Sequence, residues 1–110
     1  MMVVQEPRTR LFSRDEYYSM AEMGWFGESR VERIEGEIIE MSPPLSLHAH
    51  AACVLNHFFS NRVPAGYLVR VKSPLSLGLN SDPQPDIAIV KGTFTDFEHQ
   101  HPDRAELVIE

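Results

Sequence analysis

The stretch SDPQPDIAIV, residues 81–90, decides how the chain is read. Two prolines lead into Asp86, and Asp86 runs directly into Ile87, Ala88, Ile89 and Val90. Four apolar residues after turn-forming residues predict a buried strand. A carboxylate at the mouth of such a strand is costly unless something pairs with it. A second run of this kind, ELVIE at 106–110, lies beyond a polar connection from Lys91 to Ala105. Pairing the two strands antiparallel sets Val90 opposite Glu106 and Asp86 opposite Glu110. Opposed residues have Cβ atoms roughly 4.5–5.5 Å apart. Two carboxylates that close repel unless one is protonated or a cation bridges them. Oxygen ligands of this kind suit Mg²⁺ or Mn²⁺. Carboxylates at strand ends are also common as solvent-facing residues, so spacing leaves both readings open.

The bulk properties set limits. A chain of 110 residues predicts one domain. Its 43 % hydrophobic and 24 % charged residues are ordinary globular usage. A net charge of −6 opposes loose electrostatic adhesion to nucleic acid or anionic membranes. It leaves room for a nuclease, because a bound divalent cation supplies positive charge locally. The single cysteine, Cys53, sits in an apolar stretch and reads as a small buried hydrophobe. One cysteine fits a reducing, cytoplasmic setting. The N-terminus lacks a signal-peptide layout, and no apolar run reaches membrane-spanning length.

Around the two strands the pattern is α+β. Residues 1–12 read as an arm, and 13–110 as one domain. Ser13 and Glu16 form a capping-box pattern ahead of a helix from about Arg14 to Met23, with Tyr17, Met20 and Ala21 on its apolar face. Trp25 and Phe26 are expected to fold back onto the core. VERIEGEIIEM, residues 31–41, reads as a hairpin with a two-residue turn at Glu35-Gly36. From His48 to about Asn61 the spacing is helical, with Ala51, Val54, Leu55 and Phe58 as the stripe. YLVRVKSPLSLGL, residues 67–79, predicts one or two strands interrupted at Ser73-Pro74. The apolar ending Leu107-Val108-Ile109 reads as the middle of a core strand. The expectation is therefore a chain lacking the C-terminal part of its domain, with an open sheet edge that favours a homodimer or larger homo-oligomer.

Other chemistries find less support. His48 and His50 point about 200° apart on a helix. His50 and His57 lie about 10 Å apart along it, too far to share an ion. His99 and His101 read as solvated loop residues, and Glu35, Glu37 and Glu40 as exposed hairpin charges. Ser73 and Ser76 lack a base motif, and no Gly-rich phosphate loop is present.

VERIEGEIIEMSPPLSLHAHAACVL, then QPDIAIV, then ELVIE together resemble the Uma-two family of restriction endonucleases, within the PD-(D/E)XK nuclease superfamily. The resemblance runs from about Ser13 to Glu110. It implies a restriction-endonuclease-like mixed sheet flanked by helices. It also implies metal-dependent hydrolysis of DNA phosphodiesters, with Mg²⁺ or Mn²⁺ held by Asp86 and Glu110. It places a catalytic-site glutamate at Glu32 and accessory positions at His48 and Gln84. The superfamily's catalytic lysine falls beyond Glu110, and Lys72 and Lys91 do not match it. The residues at hand thus imply an endonuclease when the domain is whole and little cleavage by this chain alone. The alternative is a non-catalytic nuclease-fold module that binds nucleic acid or a protein partner.

Overall fold

The computed structural model describes residues 6–110. Of the expected arm, residues 1–5 lie outside the described residues, and 6–12 form neither helix nor strand. The elements run α1 (Arg14–Glu22), β1 (Val31–Ile34), β2 (Glu37–Glu40), α2 (Ser46–Ser60), β3 (Tyr67–Val71), β4 (Ile87–Lys91), a short 3₁₀ turn (Thr95–Phe97) and β5 (Leu107–Ile109). The class is α+β, as expected. The described strands form two antiparallel sheets, β1-β2 and β3-β4-β5, so the expected mixed sheet is not seen among them.

Local chemistry explains the elements that begin cleanly. The Ser13 hydroxyl accepts from Glu16 N, and the Glu16 carboxylate accepts from Ser13 N at 2.9 Å, so α1 starts on a complete capping box. The Glu16 carboxyl is held below its ordinary pKa by these bonds to Ser13. Glu35 (φ 49°) and Gly36 (φ 81°) are both left-handed, as a tight hairpin turn requires. Gly36 has a second reason: a Cβ there would stand 2.9 Å from Leu11 Cβ. Phe12 N donates to Gly36 O at 2.8 Å, so the end of the arm is laid against this turn.

β3, β4 and β5 form the core sheet. Ile87, Ala88 and Val90 have no exposed surface, and Leu75, equally buried, packs with Ala88 and Val90. β3 stops at Val71, where Lys72 takes a left-handed φ of 50° and its N–H donates to Asp86 O. Ser73-Pro74 then carries the chain away from the sheet.

A buried ion cluster joins the hairpin and α1 to the loop that leads into β4. Arg33 is 1 % exposed and Asp82 likewise 1 %. Arg33 Nε donates to Asp82 Oδ2 at 2.7 Å, and Arg14 Nε donates to Oδ1 at 2.7 Å. The remaining Arg33 nitrogens donate to the carbonyls of Phe12 and Leu79. Backbone bonds between Arg33 and Asp82 run alongside. Buried charges persist only when paired in this way.

Several expectations about burial are corrected. Trp25 is 68 % exposed, because the turns at Gly24 and Gly27 throw it outward; Phe26 instead packs against the Tyr17 ring. Ala21 is exposed while Tyr17 and Met20 are buried. On α2 the buried residue is Ala52, whereas Val54 and Phe58 are 53 % and 45 % exposed. This helix is apolar on more than one face, so periodicity does not choose which face meets β3 and β4. Cys53 is exposed for the same reason. His101 is half-buried and stacked on Tyr18, and burial lowers its pKa.

Candidate active site

The assumed pairing of the last two strands is the one observed. Ile87 faces Ile109, Ala88 faces Val108 and Ile89 faces Leu107. Extending this register by one pair would set Asp86 opposite Glu110. On the other flank of β4 the same row carries Lys72, whose N–H bonds Asp86 O at 3.1 Å.

A cavity of about 540 Å³ opens at this end of the sheet, between the core sheet, the hairpin and the start of α2. Glu32, His48, Gln84, Asp86 and Glu110 all line it, so the structure brings together every residue singled out as a site candidate. Each arrives by a separate route. Glu32 lies on the hairpin face opposite the buried Val31 and Arg33, as strand alternation dictates. Behind that strand the Tyr17 hydroxyl donates to Val31 O, and burial pushes its pKa up to about 12. His48 projects from the first turn of α2, which follows the Ser42-Pro43-Pro44 break. Asp86 and Glu110 flank β4 and β5.

The polar contacts are specific. His48 Nε2 lies 2.9 Å from Asp86 Oδ2. Gln84 N donates to Glu32 Oε2 at 3.0 Å, and Gln84 Nε2 donates to Val31 O at 3.2 Å. Gln84 therefore ties the loop before Asp86 to the strand carrying Glu32. The Glu110 carboxyl is held above its ordinary pKa, chiefly by desolvation, then by the charges of Glu32 and Asp86. Glu110 thus feels the charges of Glu32 and Asp86, and none of the three carboxylates is paired with a described lysine or arginine.

The profile of the family Uma2, described as "Putative restriction endonuclease", matches residues 14–110. The chain belongs to the Uma2 family. No curated protein and no solved structure matches it. The family description concerns nucleases, and the Uma2 match covers both the hairpin with Glu32 and the strands with Asp86 and Glu110. Among the described residues no group of three or more His, Cys, Asp or Glu side chains is disposed to hold one metal ion. Mg²⁺ keeps several waters and is commonly bound through only one or two carboxylates plus substrate phosphates. None of the described helices of this Uma2 chain is long and apolar enough to cross a membrane.

Sequence reasoning missed one charged lining residue, Arg30. The available signal was its position two residues before Glu32, which puts both on one face of an extended strand.

The raised Glu110 pKa has a measurable consequence. A carboxyl whose folded pKa exceeds its unfolded value contributes stability below the unfolded pKa and loses it as pH rises through the folded pKa. Glu110→Gln removes that titration. Thermal melts across roughly pH 4–7 should show the variant gaining on the parent protein as pH rises through the window just above the ordinary carboxylate range. A constant difference between the two across that window would mean that the fold does not hold the Glu110 carboxyl above its ordinary pKa.

Proposed function

We propose that this domain is the metal-binding part of an endonuclease that hydrolyses DNA phosphodiesters. The observation that supports the reading is the antiparallel register of β4 with β5, which continued by one pair sets Asp86 opposite Glu110, at a cavity that both line with Glu32. In this reading Asp86 and Glu110 hold Mg²⁺ or Mn²⁺. Such an ion lowers the pKa of bound water and offsets charge on a phosphoryl oxygen. Glu32, oriented by the Gln84 N–H, positions water at the rim of that site. His48 engages Asp86 Oδ2, and none of the described hydrogen bonds uses the other oxygen. The reading also names DNA as the partner. Self-association fits the outer edge of β5, where Leu107 and Val108 are 40 % and 44 % exposed, and sedimentation reports it directly.

The experiment is a calorimetric titration of Mn²⁺ into the protein and into Asp86→Ala. Binding to the parent and none to the variant is expected. Asp86 is not part of the buried ion cluster, so the variant should retain its circular dichroism spectrum. Undiminished Mn²⁺ binding by a folded Asp86→Ala protein would place any metal elsewhere.

A further inference from the structure

Arg30 lines the same cavity as Glu32, Asp86 and Glu110, yet none of the described ion pairs uses it. Its Nη2 is buried and has no hydrogen-bond partner among the described residues. A buried guanidinium nitrogen left unpaired costs the desolvation of a charged group. Three carboxylates within one cavity would ordinarily draw it into contact. Its backbone explains why the geometry is fixed. Arg30 O accepts from Met41 N at 2.8 Å, which extends the β1-β2 register by one pair. The hairpin thus holds Arg30 on the wall that also carries Glu32, while Asp86 and Glu110 stand on the core sheet.

We propose that Arg30 is a phosphate-binding residue, whose guanidinium grips a non-bridging oxygen of a nucleic-acid phosphodiester seated between the hairpin and the carboxylates. The assignment rests on the nuclease reading above and adds to it the group that meets the substrate anion. The chemistry is complementary. A planar fork of N–H donors matches phosphate oxygens. The protein as a whole carries net charge −6, so an anionic backbone needs a cation aimed at it locally. The carboxylate wall alone would repel a phosphate. Arg30 on the facing wall, with a divalent ion between the carboxylates, gives the anion favourable contacts on both sides.

The test measures anisotropy of a fluorescein-labelled DNA duplex with the full chain in Ca²⁺, over a series of salt concentrations. Arg30→Gln should weaken binding by about ten- to hundredfold. The loss should be equal on unrelated sequences, and the slope of log affinity against log salt should shrink by about one. Arg30→Lys should restore the slope but only part of the affinity, because a point charge replaces the fork. If both variants bind like the parent while Mn²⁺ binding still depends on Asp86, the Arg30 assignment is overturned and the nuclease reading survives. If the parent binds no duplex, the DNA reading falls. Arg30 is then judged by titrating inorganic phosphate in Ca²⁺ against its side-chain ¹⁵N–H signal in the parent protein. A shift of that signal upholds phosphate binding, and no shift overturns it. The same signal decides the matter if a variant fails to fold.

Discussion

Asp82→Ala is expected to cost about 3–5 kcal/mol of folding stability. Asp82 accepts from both Arg33 Nε and Arg14 Nε at 2.7 Å, with its side chain fully buried. Removing the carboxylate leaves Arg33, only 1 % exposed, as a buried charge without its counterion. The Arg33 bonds to Phe12 O and Leu79 O remain, but carbonyl dipoles do not neutralise a guanidinium. A domain of this size has roughly 0.05–0.15 kcal/mol of stability per residue, so such a loss takes a large share of the whole. Urea denaturation of parent and variant measures it. The double change Arg33→Met with Asp82→Leu should lose less than Asp82→Ala, because it leaves no unpaired charge. A drop below about 1 kcal/mol for Asp82→Ala would show that the cluster is solvated in solution.

Leu75→Ala comes next, at about 2–5 kcal/mol. Leu75 has no exposed surface and packs on Ala88 and Val90, with Leu68, Leu77, Phe97 and Ala105 around them. Its N–H bonds Pro83 O at 2.9 Å, which fixes the backbone against collapse into the vacated space. The cavity should therefore stay open, and the cost should lie in the upper half of the range. Leu75→Met keeps the volume and should cost less than about 1.5 kcal/mol. The same denaturation experiment separates them, and equal midpoints for the two variants would contradict the packing argument. Because Leu75 backs β4, Leu75→Ala should also loosen the strand that carries Asp86.

What could be read from the sequence was what short-range chemistry dictates. The capping box of Ser13 and Glu16 and the left-handed pair Glu35-Gly36 each specify geometry within a few residues. The register of β4 with β5 followed from aligning the equal stretches DIAIV and ELVIE. The faces of α2 were not readable. Ala52 and Val54 are both apolar, and the choice of which faces inward belongs to β3 and β4. The ion cluster was hidden for a different reason. Asp82 before Pro83 looks like an ordinary turn residue, and its partner Arg33 lies 49 positions away. Arg30 had a local signal, its alternation with Glu32, but the absence of a counterion appears only in three dimensions.

The bridge between Arg33 and Asp82 has a kinetic side. The cavity is divided between two separately hydrogen-bonded sheets: Arg30 and Glu32 ride on the hairpin, Asp86 and Glu110 on the core sheet. Proteins open locally in cooperative pieces of differing stability. Swinging the hairpin away would pull the two walls of the cavity apart while β3, β4 and β5 remain paired. Loss of the cavity and unfolding of the chain are therefore expected to be separate events. Parting the walls requires withdrawing the Arg33 guanidinium from its buried counterion, so a residue that does not line the cavity is expected to govern how long it lasts.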